Sequence, residues 1–387
     1  MPSFGSGTEP PDCKGTSVDL TQRLEPVLSI ARDTASEVDA AGRFPRESVE
    51  ALRQSGLLGI TMPVEAGGLG CGALDFAHAL SAVAGACGST AMIYLMHVSG
   101  AMTVAAAPPT GQPDLLARLA SGRALATLAF SEAGSRSHFW APISRSERNG
   151  SGIRLSAPKS WVTSAGEADV YVVSTLTADA DTIDLFAVPA TDEVEVTGEW
   201  RGMGLRGNAS NPMRFATEVP ESYRIGAPGS GFDTMMGTVL PWFNLGNASV
   251  SLGLSRAAVA AAVKHVSGAR LEHVGQSLAD LPTIRAQLAK MSLDLETTQA
   301  YLDKTADRLA DPADDTMLHV LGVKAAANDA ALRITDAAMR VCGGAAFSAH
   351  LQIDRFFRDA RAGSVMAPTA DVLYDFYGKA ITGQQLF

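Results

Sequence analysis

The sequence predicts an α+β protein made of an N-terminal helical domain, a middle β-barrel-like domain and a C-terminal four-helix bundle. Three observations carry this. Apolar residues recur at helical spacing from about residue 18 to 119; short β-type runs replace them between about 123 and 220; helical stripes return from Gly231 onwards. A chain of 387 residues, 46% hydrophobic and only 19% charged, has the apolar content to bury such a set of cores.

Taken in order, residues 1–17 are polar and rich in Pro and Gly, and without the basic and apolar regions of a signal peptide they read as a disordered leader. In residues 18–120, Leu24, Val27, Leu28, Ala31, Ala35 and Val38 share one helical face. Phe44-Pro45 opens a second helix carrying Val49, Leu52 and Leu57. GITMPVEAGGLGCG is a Gly-rich loop; no strand precedes it, so it reads as a structural turn rather than a phosphate cradle. Leu74 to Ala105 is apolar enough for buried helices. In residues 121–225 the predicted strands are Ala124–Phe130, Ile153–Ala157, Val170–Ser174, Ile183–Val188, Val194–Val196 and Met213–Thr217, with a hairpin turn at Asn149-Gly150.

In residues 226–387, stripes run through Val250, Leu254, Ala257, Ala258 and Ala261, through Ile284, Leu288, Met291 and Leu295, and from Leu318, Leu321 and Ala325; Asp371–Ile381 is the fourth helix. Before it, IDRFFRDARAGSVMAPT places Arg355, Arg358 and Arg361 on one side of a helix with Asp354 and Asp359 nearby. Either this is a helix braced by ion pairs that delivers the Met-Ala-Pro-Thr turn to a specific place, or it is a solvated charged helix end.

The net charge of −10 argues against nucleic acid as a partner. Cys13, Cys71, Cys87 and Cys342 lie far apart with no C-x-x-C pair, so neither a structural zinc site nor a disulfide framework is expected, no metal site is predicted, and a cytoplasmic location fits. No apolar run reads as long enough to span a bilayer, so no membrane partner is expected.

Six motifs in order resemble the acyl-CoA dehydrogenase superfamily, from about Pro45 to the end. FPRESVEALRQSGLLGITMPVEAGGLG resembles its N-terminal segment, LAFSEAGSRSH its T-E-P-x-x-G-S-D loop, and APKSWVTSAGEAD its N-G-x-K-x-W-I-T-N segment. MGLRGNASNPMRF is similar to the strand behind the active site, and MRVCGG and DRFFRDAR to the last two signatures. The resemblance implies a homotetramer or dimer with one FAD per subunit. It sets Phe130, Ser131, Trp161 and Thr163 against the flavin ring, where Trp161 read alone is more readily a satisfied core tryptophan. It sets Arg340, Gly343, Gly344, Thr369 and Asp371 at the adenine-diphosphate half across a subunit interface, with Arg340 in place of the usual Gln. The pyrophosphate motif R-x-Q-F-G appears as ARLEHVG, with Arg270 one residue out of register, which points to loosely held FAD or to flavin supplied in reduced form.

The resemblance also exposes a gap. The dehydrogenases remove an α-proton of an acyl thioester with the glutamate of Y-E-G-T, and here that register reads Met366, Ala367, Pro368, Thr369. In the branch that carries the glutamate on the first bundle helix, the position is Phe243, followed by Asn244. Loss of a general base costs ~10² to 10⁴ in rate, so an ordinary α,β-dehydrogenase is disfavoured. Two reaction classes stay open. One is a reduced-flavin-dependent monooxygenase acting on a small metabolite, with a flavin reductase as partner. The other is an enzyme of acyl-CoA or acyl-carrier-protein thioesters with a displaced base or a base-free elimination or cyclisation. A non-catalytic subunit is the remaining alternative. His97 and Asn244 are candidate catalytic donors, though a lone histidine in an apolar helix is also an ordinary core residue. Ser137, His138, Phe243 and Met366 are candidate substrate contacts, with a plain surface loop as the other reading of SRSHFWAP.

Overall fold

The computed structural model describes residues 19–136, 138–150, 152–273 and 275–386. The leader expected at residues 1–17, and Ser137, lie outside them. Helices α1 (Leu20–Ala41), α2 (Arg46–Gln54), α3 (Ala73–Ala86), α4 (Gly88–Ala106) and α5 (Leu115–Ala120) form the N-terminal part. Val27, Ala31, Ala35 and Val38 of the predicted stripe are buried, as helical spacing requires. Helix α4 corrects one expectation: by length and composition it is apolar enough to cross a membrane, yet 83% of that stretch is buried inside the fold, which makes it a core helix. The expectation for the cysteines needs correction too. Cys71 is disulfide-bonded, while Cys87 and Cys342 are free and buried.

The middle part holds two four-stranded sheets, β1-β4-β5-β8 and β2-β3-β7-β6. Their strands are β1 (Ala126–Ala129), β2 (Glu147–Asn149), β3 (Gly152–Val162), β4 (Val170–Leu176), β5 (Ile183–Pro189), β6 (Val194–Val196), β7 (Asn211–Pro220) and β8 (Arg224–Ile225). The six predicted runs all fall on these strands. β1 pairs with β4 in parallel, Ala126 opposite Val170, and β3 with β7 antiparallel, Leu155 opposite Thr217. Along β3 the residues Ile153, Leu155, Ala157 and Lys159 point inward. The register then shifts between Lys159 and Val162, and Trp161 sits at φ 56. Such a bulge re-aims a side chain: strict alternation would have buried Trp161, and instead it is 66% exposed.

A short helix α6 (Gly231–Thr234) and a π-helical turn at Met235–Val239 lead into α7 (Leu240–Gly268), and after a small hairpin, β9 (Arg270–Leu271) and β10 (Gln276–Ser277), come α8 (Pro282–Ala310) and α9 (Thr316–Cys342). Helices α10 (Ile353–Val365) and α11 (Ala370–Ile381) complete the C-terminal part, where α7 packs on α9, and α8, α10 and α11 each pack on α9 as well. Helix α3 lies along α7, so the N-terminal part and the bundle share a core.

The charged helix α10 is the tie between parts. Arg358 grips Asp39 of α1 through both guanidinium nitrogens at 2.9 and 2.5 Å, reaches Asp354 at 3.0 Å, and donates to the Met203 carbonyl at 3.1 Å. Asp359 accepts from the Leu205 amide at 2.6 Å. A Cβ on Gly204 would lie 2.4 Å from the Arg358 carbonyl, so only glycine lets this loop come so close. With Arg355 and Asp359 only 5% and 3% exposed, the solvated-helix reading is set aside.

Candidate active site

Where the β part, α4, α7 and the end of α10 meet, they enclose a cavity of about 580 Å³, within the size range that holds a small molecule or cofactor ring. Its floor is apolar: Met92 and Met96 come from α4, Leu128 from β1 and Phe243 from α7. Strand β3 and its neighbours add hydroxyls from Ser131, Ser160, Thr163 and Ser210, with the Thr163 and Ser210 oxygens 3.0 Å apart. The bulge turns Trp161 onto this rim, where its ring meets Trp200 edge-on at 5.9 Å. A flat aromatic face beside several hydroxyls and an apolar floor fits a planar heteroaromatic ring with one polar edge. The end of α10 and the turn after it complete the lining, with Val365, Met366 and Ala367.

The wall behind Ser131 contains a buried ion pair. Lys159 donates to Glu132 at 2.6 Å, to the Ser174 carbonyl at 2.7 Å and to the Phe130 carbonyl at 3.3 Å. The second Glu132 oxygen accepts from the Ile143 amide, the Ser144 amide and the Ser144 hydroxyl at 3.1, 2.8 and 2.9 Å. Burial pushes the Lys159 ammonium down to about 8, against the pull of Glu132. Glu132 is the one carboxylate among the described residues lining the cavity, and these donors occupy both of its oxygens.

The turn carrying Ala367 is held from behind. The Lys324 ammonium on α9 is completely buried and donates to the carbonyls of Gly363, Met366 and Pro368 at 2.9, 3.1 and 2.9 Å. Burial pushes it down to about 7. From α7, the Asn247 amide contacts the Met366 sulfur at 3.6 Å.

Phe130, Ser131, Trp161, Thr163, His138, Phe243, Met366 and Ala367 all line the cavity. His97 does not, and its candidate catalytic role is corrected. The ring is fully buried, Nε2 donating to the Leu58 carbonyl at 3.1 Å and Nδ1 accepting from the Ala126 amide at 3.0 Å. Both nitrogens are thus spent on structure, and burial lowers its pKa to about 4, so it is a neutral core histidine. Asn244 is corrected likewise: its amide donates to the Val320 carbonyl at 3.0 Å, joining α7 to α9 away from the cavity. Arg270 is exposed on the small hairpin, and Arg340, Gly343 and Gly344 are exposed at the end of α9. Thr369 stands at the N-cap position of α11 without a side-chain capping bond, and Asp371 is exposed in the first turn. The single chain brings none of these six to the cavity.

Sequence reasoning passed over Met92, Met96, Trp200, Lys324 and the ion pair that ties Lys159 to Glu132, a residue it weighed only as a candidate acid with structural duties. A signal existed for two of them. Lys159 continues the inward parity of Ile153, Leu155 and Ala157, and Lys324 lies one turn from Val320 and Asn328 on the buried face of α9. A lysine on a buried face needs acceptors nearby.

Comparison with known proteins decides the kinship. Residues 29–123, 127–217 and 229–382 match, in order, the N-terminal, middle and C-terminal domains of acyl-CoA dehydrogenase. The chain belongs to the acyl-CoA dehydrogenase family. Cyclohex-1-ene-1-carbonyl-CoA dehydrogenase of Geobacter metallireducens is 28% identical over 380 residues, covering 94% of this chain and 98% of that protein. Butyryl-CoA dehydrogenase from Megasphaera elsdenii superposes with a TM-score of 0.88 at 23% identity, covering 95% of this chain and 99% of its own. The prolyl acyl carrier protein oxidase AnaB superposes with a TM-score of 0.84 at 19% identity over 95% and 100%. As a member of the acyl-CoA dehydrogenase family the chain is a flavin-dependent oxidoreductase, and the family binds FAD. The Trp161 face and the hydroxyls of Ser131 and Thr163 are the residues that would hold the flavin ring.

Proposed function

We propose that this chain oxidises its substrate without proton abstraction by a carboxylate of the cavity, and that its reaction is reduced-flavin-dependent oxygenation of a small metabolite. One observation carries the reading: the cavity wall bears Ala367, and the one carboxylate among the described lining residues, Glu132, is saturated by Lys159, Ile143 and Ser144. An α-proton of a thioester is too weakly acidic to leave without a positioned base. Flavin, when bound in reduced form, supplies the two electrons that turn one atom of O₂ into water while the other atom enters the substrate. The chain's own residues do the rest. Met92, Met96, Leu128 and Phe243 exclude water, Trp161 and Thr163 orient the ring, and His138 and Arg136 stand on the same cavity as polar contacts for the substrate. The exposed placing of Arg270, Arg340, Gly343 and Gly344 supports a homo-oligomer in which a second copy completes the nucleotide half of the site. A separate flavin reductase is the implied partner.

The second reading keeps an acyl thioester, on CoA or on a carrier protein, with a displaced base or a base-free elimination. The relatives named above, two CoA-thioester dehydrogenases and a carrier-protein oxidase, favour it. One experiment separates the two. The purified chain is given reductase-regenerated flavin, O₂ and candidate metabolites, and in parallel acyl-CoA thioesters without O₂. The proposal expects a product heavier by one oxygen atom and no thioester-dependent loss of flavin colour; thioester-driven bleaching without O₂ overturns it in favour of the second reading. Under the second reading, placing a carboxylate back with Ala367→Glu is expected to raise anaerobic thioester oxidation by about 10²-fold.

A further inference from the structure

The Lys324 side chain, an ammonium below pH about 7, is fully buried and has no carboxylate within ion-pair distance among the described residues. A buried charge persists only where strong acceptors replace its water. Its acceptors are not scattered: all three are carbonyls of one short stretch, Gly363, Met366 and Pro368. These sit at the C-terminal end of α10, where carbonyls lack helical donors and carry partial negative charge. Pro368 has no N–H of its own to organise the turn. Lys324 therefore acts as the missing donor set, and what it fixes in space is the segment whose other side is the cavity wall of Val365, Met366 and Ala367. The Asn247 contact to the Met366 sulfur holds the same wall from α7.

We propose that Lys324 is a positioning residue for the cavity: its three carbonyl bonds set the place of the Val365–Pro368 turn, and through that wall the affinity of the cavity for flavin. The flavin half of this proposal rests on the reading of the cavity as a flavin site; the turn half does not. Lysine supplies three donors, a glutamine at the same place at most two, and a methionine of similar length none. Rigidity of the turn and flavin binding are therefore expected to fall from wild type to Lys324→Gln to Lys324→Met.

The test uses the full chain with two readouts. Amide hydrogen exchange of peptides spanning the end of α10 and the turn reports local opening. FAD titration, followed by flavin fluorescence and by the shape of its visible absorption band, reports the cavity. Thr305→Val, which removes a buried hydroxyl that donates to Tyr301 on α8, serves as a control for general loss of stability. Lys324→Met is expected to speed exchange in the turn selectively, to weaken FAD binding about tenfold, the effect of one lost charged hydrogen bond, and to alter the absorption band. Lys324→Gln should recover part of each, and the control should change none. Exchange in the turn equal to wild type overturns the proposal. Faster exchange with unchanged FAD affinity and spectrum overturns its cavity half and leaves Lys324 a merely structural residue. If wild type binds no FAD at all, the flavin reading fails while the exchange data still decide the role of Lys324 in the turn. Should Lys324→Met fail to fold, Lys324→Gln against wild type decides both halves by the same two readouts.

Discussion

Two buried lysines brace segments that line the cavity, and they are accommodated by opposite means. Lys159, in the β part, is neutralised by Glu132 at 2.6 Å. Lys324, in the bundle, has carbonyl oxygens alone among the described residues. The ion pair braces the part of the lining that carries Ser131, and the uncompensated ammonium braces the part that carries Ala367. The contrast teaches where each wall is fragile. A buried pair suffers most when one partner is lost, because the other is left charged and dry. A carbonyl-bound cation suffers from loss of donors, and its charge is itself a cost.

The largest expected effect tests the pair. Glu132→Ala strands Lys159 and should destabilise by about 3–5 kcal/mol, measured by urea unfolding. The double variant Glu132→Gln with Lys159→Met should recover most of that loss, because the charge goes with its partner; failure to recover would mean that Glu132 matters chiefly as the acceptor for Ile143 and Ser144. Next, Lys324→Met should cost about 2 kcal/mol at neutral pH, since orphaned carbonyls are partly offset by removal of a buried charge.

A pH titration sharpens the comparison. Lys324 is lowered from 10.5 to about 7, so between these values the unfolded chain holds a proton that the folded chain has lost. Stability therefore rises with pH through that window, and Lys324→Met should flatten the rise. Lys159, lowered only to about 8, contributes the same sign over a narrower span.

The smallest effects lie on the acid side, where two core groups oppose each other. His97, lowered from 6.5 to about 4, stays neutral in the fold while the unfolded chain takes a proton, so its contribution is lost as pH falls through that range. Asp359, raised by burial from 3.8 to about 6, keeps a proton the unfolded chain has shed, so stability falls as pH rises through that range. Asp359→Asn retains an acceptor for the Leu205 amide and should leave the His97 slope uncovered in thermal melts between pH about 4 and 6.

Much of the site was legible in local pattern. The order of helices and strands, the charged helix that braces the loop and the turn bearing Ala367 were all visible as spacing and motif. His97 misled because an apolar helix with one histidine looks the same whether that histidine faces a cavity or a backbone carbonyl. Its partners, Leu58 and Ala126, come from other elements. Trp161 lines the cavity, although strict strand parity would have buried it; the register shift against β7 turned it outward.

By itself, then, the sequence determined the α-β-α order, the elements' periodicity and the absence of an acid at residue 367, because these are properties of consecutive residues. The tertiary structure decided which charges are paired, which of two buried lysines stands alone, that Glu132 is spent on its neighbours, and that α4 is core rather than membrane. Those outcomes depend on contacts between segments tens to hundreds of residues apart, such as Arg358 with Asp39 and Lys324 with Pro368, and no local spacing encodes them.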